Sequence, residues 1–219
     1  MSAPPARTLD LPVDAVLVVG GIPGAGKTTW LAGHAWPPEV TVLDSQDVRR
    51  RRFARVPGWV PYRAVRPLVH AGHYLAIFAA MRRPGPLVVH ECATRGWLRR
   101  AMTRWARWAG RPAHLLLLDA DPETARAGQR ARGRRLHGRA MRRHERVSGG
   151  LLAAAAAAPP DGLAGSLVLT RGDAAAIETV RFGPVSAWRR VAALSPAAGD
   201  APTRPCPRAS ARGRAVHPA

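Results

Sequence analysis

The sequence predicts a three-layer α/β domain built on a five-stranded parallel sheet. Three observations lead there. Five short apolar runs recur between Ala15 and Thr170 with helical segments between them, the alternation a parallel sheet demands. The first run flows into a glycine-rich loop that opens directly into a helix. No apolar run reaches the roughly 18 residues of a membrane span.

The elements follow in chain order. Residues 1–14 read as a loose, flexible lead. Ala15–Val19 is an unbroken apolar strand, and Thr28–Ala32 begins the first helix. Val40–Leu43 is the second strand. Tyr62–Arg83 is long enough for a substantial helix, with Val65, Leu68, Val69, Ile77 and Phe78 as its apolar residues. Leu87–His90 is the third strand. Arg95–Ala109 is amphipathic, with Leu98, Met102 and Trp105 on one face and most of its arginines off it. His114–Leu118 and Ser166–Thr170 complete the strands. Between them, Leu151–Ala158 reads as an alanine-rich helix stopped by Pro159 and Pro160. The folded domain is expected over 15–194, followed by a disordered basic tail over 195–219 that has almost no large apolar residues.

Composition narrows the classes. A hydrophobic fraction of 47% over 219 residues supports a real core. Only Cys92 and Cys206 occur, too few for a disulfide framework and without zinc-site spacing, so the expected compartment is the cytoplasm. The start lacks the layout of a secretory signal. Formal charge is +20, which fits either a polyanionic partner such as nucleic acid or a bias toward arginine. Bias explains why the bases are arginine; it leaves the scarcity of acids unexplained.

Against that bias, Lys27 is the only lysine among 34 basic residues. It lies in GGIPGAGKTTW, where Gly21, Gly26, Lys27 and Thr28 complete G-x-x-x-x-G-K-[ST], the Walker A phosphate loop. Glycines let the backbone curl so that N–H groups over Gly21, Ile22, Pro23, Gly24, Ala25, Gly26, Lys27, Thr28 and Thr29 can surround phosphate oxygens. A lysine is a compact point charge suited to the β- and γ-phosphates. The Thr28 hydroxyl suits Mg²⁺. The pattern therefore predicts binding of ATP or GTP with magnesium.

Acids number only 14, so their places are informative. In an open α/β sheet, catalytic groups belong at the carboxyl ends of strands. LDSQDVRRRF puts Asp44, Asp47 and Arg49 after the second strand, and HECATR puts Glu91 after the third. Asp47 suits helix-terminal charge compensation as well as it suits function. His70, His73 and His90 show no metal-ligand pattern and fit a helix face or an acceptor pocket better. Trp105 and Trp108, beside Arg104, Arg107 and Arg111, can stack bases or pack the core. LTRGD at 169–173 is similar to a guanine signature, but no D-x-x-G switch accompanies it.

Taken together, GIPGAGKTTW, LDSQDVR, VVHE and LLLLDADPETARAGQRARGR resemble the P-loop kinase group over residues 15–182. That group holds polynucleotide 5′-hydroxyl kinases, zeta toxins, gluconate kinases, adenylylsulfate kinases and bacterial chains called AAA family ATPases. The resemblance implies strand order 2-3-1-4-5 and an arginine-rich lid over about 126–146, a stretch with nine arginines and one acid, Glu145. It implies that Arg130, Arg132 and Arg134 meet phosphates on closure, though such a run also suits a solvated helix face or a nucleic-acid groove. It places Mg²⁺ on Thr28 and Glu91, with Asp119 of LLLLDAD as the other candidate, and the last strand and turn, with Arg171, beside the adenine ring. Asp44 would orient the acceptor, with Arg49 and Asp47 binding it. Adenylylsulfate kinases carry L-D-G-D-N-I-R where this chain has Leu43–Arg49, so Gln46 replaces an acid that usually serves as base or acceptor ligand.

Three functions fit these residues. The first is an ATP-dependent phosphotransferase acting on an alcohol group. In the second, the acceptor is a polynucleotide 5′-hydroxyl end. The third is a nucleotide-binding regulatory ATPase that hydrolyses weakly or not at all, which Gln46 favours.

Overall fold

The computed structural model describes residues 7–44, 59–60, 62–131 and 138–184. Gln46, Asp47, Arg49, Arg132, Arg134, Cys206 and the tail over 195–219 lie outside the described residues.

Five strands form the expected parallel sheet. They are β2 (Val16–Gly20), β3 (Thr41–Asp44), β4 (Leu87–His90), β5 (Ala113–Asp119) and β6 (Gly165–Thr170). Their spatial order is β3-β4-β2-β5-β6, which is the expected 2-3-1-4-5 once an additional first strand is counted. Central strands β2, β4 and most of β5 are buried throughout, as parallel strands covered on both faces must be.

Alternation along these strands sorts the core into two layers. Leu17, Val19, Leu116, Leu118, Leu167 and Leu169 face one cluster, with Trp30 and Leu31 of α1 (Lys27–Ala32) and Ala174 of α6 (Arg171–Ala176). Val16, Val18, Leu115 and Leu117 face the other, against Ile77 and Met81 of α2 (Tyr62–Met81) and Leu98 and Met102 of α3 (Gly96–Trp108). Two further α-helices among the described residues are α4 (Pro122–Arg130) and α5 (Gly138–Ala157). Asp121 starts α4 by accepting from the backbone N–H of Glu123 and Thr124, both at 3.0 Å, with Pro122 just inside the helix. The alanine run expected as a separate helix is the second half of α5.

One expectation is corrected. The loose lead contains β1 (Arg7–Pro12), which pairs in parallel with β7 (Ile177–Gly183) as a separate two-stranded sheet. Leu9 and Leu11 are buried in the α1-side core, and Arg7 bridges Asp173 at 3.2 Å. Burial of two leucines explains why this segment is ordered in spite of its charged residues.

Arg111 ties the amino-terminal edge of the sheet together. Its Nε donates to Asp14 O at 2.9 Å, and Nη1 to the carbonyls of Arg83 at 3.0 Å and of Ala80 and Met81 at 3.3 Å. Nη2 donates to Gly85 O. A buried guanidinium with its donors satisfied is structural, so Arg111 is not one of the base-stacking cations that the sequence allowed.

Candidate nucleotide and phosphotransfer site

The phosphate loop joins β2 to α1 at the carboxyl edge of the sheet, where α/β ligands bind. Its shape depends on Gly24, a variable position in the motif. Gly24 has φ +93, and a Cβ there would lie 2.0 Å from the Ala125 carbonyl oxygen. Helix α4 can therefore press onto the loop only because residue 24 has no side chain. Gln129 fixes that contact by donating from Nε2 to Pro23 O at 2.7 Å and reaching Met141 Sδ at 3.4 Å.

Two cations lie on the loop. Lys27 is buried, and its Nζ donates to Gly21 O at 2.7 Å and Ile22 O at 3.0 Å. Arg171 arrives from the end of β6, with Nη2 donating to Gly24 O at 2.9 Å and Nε to Ala25 O at 3.4 Å. Beside them is a cleft of about 430 Å³, whose lining includes Gly26, Thr29, Trp30, His34, Arg171 and Ala175. Trp30 is locked there by Nε1 donating to Ala174 O at 3.1 Å. The cleft thus opens directly from the loop toward α6, with Arg171 in its lining.

The acids gather on the other side of β2. Asp44 ends β3 and stands in register with His90 at the end of β4. Nδ1 of His90 lies 2.6 Å from Asp44 Oδ1, a distance at which an imidazole N–H donates to a carboxylate. Glu91 follows, its backbone N–H donating to Val19 O at 3.2 Å, next to the loop strand. Burial pushes its carboxyl above the usual range, while its neighbours, Lys27 among them, pull the other way. Nε2 of His73 is 3.8 Å from Glu91 Oε2. Burial holds His73 down at about 4, so the ring is neutral at pH 7. Arg95 donates to the Tyr74 hydroxyl at 2.7 Å, and the burial of that hydroxyl raises its pKa.

The residues expected at the loop, Gly21 through Thr29, therefore stand with Arg171 on one side of β2 and Glu91 on the other. Asp44 is a strand further out, tied to His90. Arg130 ends α4 and is exposed, while its neighbour Gln129 makes the loop contact. Arg126 pairs with Glu145 at 2.6 Å, joining the two helices of the arginine-rich stretch. Asp119 is exposed at the end of β5. Asp173 is engaged by Arg7 and by the Thr170 hydroxyl at 2.7 Å, so the guanine-like tetrad is a helix cap bridged to β1. One working residue, Gln129, was not singled out in the sequence, and His90, expected at a helix face or in an acceptor pocket, has a partner that the sequence did not reveal. Gln129 has one signal, an uncharged polar residue inside an arginine run; the pairing of His90 with Asp44 needs strand register that the sequence does not print.

Mg²⁺ is held by one or two side chains together with phosphate oxygens and water. The Thr28 hydroxyl and Glu91 carboxylate offer hard oxygen donors of that kind, and a cation would relieve the desolvation of buried Glu91.

A parallel sheet in this order, with a Walker A loop between its central strand and first helix, defines a P-loop protein of the kinase type. A family model described as an AAA domain matches residues 16–157, more than half of the chain, and the protein belongs to that family. Similar solved structures include the following two. A kinase candidate from Chloroflexus aurantiacus is 17% identical with a TM-score of 0.53, covering 72% of this chain and 88% of that one. The tunicamycin resistance protein of Deinococcus radiodurans is 16% identical with a TM-score of 0.50, covering 84% and 96%. At such identities the likeness shows the fold. No curated protein matches the sequence.

Proposed function

We propose that the protein is an ATP-dependent phosphotransferase that moves the γ-phosphoryl group to a hydroxyl of an acceptor seated over the ends of β3 and β4. The observation that carries this reading is the Asp44–His90 pair, a carboxylate held in place at a strand end on the acid side of the loop strand. Loop amides and Lys27 hold the triphosphate, and the cleft beside Trp30 and Arg171 takes the base. Bound Mg²⁺, on Thr28 and Glu91, would supply charge neutralisation on the phosphates. Asp44 accepts the acceptor's hydroxyl proton as the new O–P bond forms and the bond to the ADP oxygen breaks. His90 keeps the Asp44 carboxylate aimed at that proton.

Lys27 has a second task. In turning from the carbonyls of Gly21 and Ile22 to phosphate, it exchanges neutral acceptors for charged ones, which are stronger partners. Arg171, on Gly24 and Ala25, can make the same exchange.

The test is transfer of labelled γ-phosphate to nucleic-acid ends, nucleosides, sugars and aminoglycosides, with Lys27→Ala as blank. Transfer by the wild type and none by the blank is the expected result. Nucleotide binding without transfer to any hydroxyl would overturn the reading in favour of a regulatory ATPase.

A further inference from the structure

Helix α3 carries a stripe that the nucleotide site does not use. Trp97, Arg104 and Trp108 are spaced i, i+7 and i+11, which puts them within about 40° of one another around the helix. Trp97 is 54% exposed and Trp108 68%, and Arg104 is exposed between them. Leu98, Met102 and Ala106 bury the opposite face against the sheet. This sorts the aromatic pair considered from sequence: Trp105 is half-buried beside Phe78, and Trp97 takes its place on the outer stripe.

The outer rings are braced. Trp108 stacks on Phe78 of α2, with centroids 6.1 Å apart and planes at 23°. The Arg82 guanidinium lies 5.8 Å from the Trp108 centroid. Trp97 meets Tyr74 edge-on at 5.7 Å. Rings braced by neighbours yet still largely exposed are platforms for a flat partner, with little ordering left to do on binding. Along the helix axis the two tryptophans stand about 16 Å apart, a distance a few nucleotides span.

Charge selects the partner. Residues 59–118 hold ten arginines and one acid, Glu91, which is largely buried beside the loop strand. Helices α2 and α3 contain no acid at all. A second copy of this chain would bring arginine against arginine, since Asp161, the carboxylate beside α3, is already engaged by Arg99 at 2.8 Å and Arg100 at 3.8 Å. A membrane surface favours a continuous apolar strip, whereas here guanidinium groups separate the rings. We infer that the α2–α3 face binds single-stranded nucleic acid, its bases stacking on Trp97 and Trp108 and its phosphates pairing with Arg82 and Arg104. The stripe lies outside the nucleotide cleft, so this inference stands independently of the proposed phosphotransfer.

Binding is read by fluorescence anisotropy of a labelled oligothymidylate of about fifteen nucleotides. Comparison probes are an abasic strand of equal length, a duplex, and vesicles of phosphatidylcholine with phosphatidylserine. The single strand should bind more tightly than the abasic strand or the duplex. Trp97→Leu and Trp108→Leu should each weaken it about five- to hundredfold, and Trp108→Phe, which keeps a ring, should restore most of the loss. Arg82→Gln and Arg104→Gln should each lower the slope of log affinity against log salt by about 0.7. Lys27→Ala should bind the strand as the wild type does, which separates this result from any failure of phosphotransfer. Circular dichroism melts confirm that each variant folds. Equal affinity for the abasic strand would overturn the inference. So would undiminished binding by the folded Trp97→Leu/Trp108→Leu double variant, or loss of vesicle binding or self-association in that variant with oligothymidylate binding intact.

Discussion

The two ends of the five-stranded sheet use the same chemistry for opposite purposes. At the amino end, one guanidinium, that of Arg111, donates to the carbonyls of Asp14, Ala80, Met81, Arg83 and Gly85. At the carboxyl end, Lys27 and Arg171 donate to the carbonyls of Gly21, Ile22, Gly24 and Ala25. The first set of acceptors comes from the turn before β2, from the last turn of α2 and from the stretch joining α2 to β4. The second comes wholly from the phosphate loop. Arg111 holds the approaches to three strands, β2, β4 and β5, and no ligand can replace its partners without undoing that edge. Lys27, from the loop's own segment, and Arg171, from the start of α6, rest on phosphate-loop carbonyls alone and can trade them for phosphate oxygens at little structural cost.

This contrast can be broken in graded steps. Arg111→Ala should cost the most, roughly 3–5 kcal/mol of stability by denaturant titration, because it strips partners from several buried carbonyls at once. Nucleotide affinity measured on the folded fraction should hardly change. Lys27→Ala should do the reverse, lowering phosphoryl transfer by about a hundred- to thousandfold with an unfolding midpoint close to the wild type's. Asp44→Asn should reduce kcat by about tenfold to a hundredfold and leave the KM for ATP nearly constant. His90→Asn, which retains a donor, should fall less than His90→Leu in the same kcat measurement; equal losses would remove His90 as the group that aims Asp44.

Two buried histidines sharpen the picture through pH. Burial holds both His73 and His114 at about 4, below the 6.5 expected in the unfolded chain. Between those values the unfolded chain binds the proton and the fold does not. Their stability contribution is therefore complete above about pH 6.5 and falls as pH drops toward 4, by about 1.4 kcal/mol per unit for each group. Replacing His114 with Leu should flatten half of that slope in denaturation curves taken across the range. The smallest effect belongs to Arg171→Ala, expected to change nucleotide affinity about two- to tenfold by calorimetry, since a partly exposed hydrogen-bonding cation is worth of order 1 kcal/mol.

The parts of this fold legible in the sequence were those with local signals. Each strand of the main sheet is a short apolar run next to turn residues, and the loop motif is contiguous. The pairing of β1 with β7 joins residues 7–12 to residues 177–183, and RTLDLP and IETVRFG are charged enough to read as connectors. Asp44 was readable as a strand-end acid, but its partner depended on register across β3 and β4. Arginine was the least readable residue type. With 33 of them, sequence cannot separate Arg111, a buried crosslink, from Arg104, which faces solvent. Only burial and the positions of carbonyls do that.

The union of β1 with β7 bears on how the protein is made. Translation delivers Arg7–Pro12 long before Ile177–Gly183, so β1 waits for its mate while the strands of the main sheet are made. An unmatched strand is an invitation to mispairing, and Arg7, Asp10 and Pro12 are the residue types that discourage it. Strands of the central sheet can pair as they emerge, but the seam that seals Leu9 and Leu11 under α1 can close only once Ile177–Gly183 has been made.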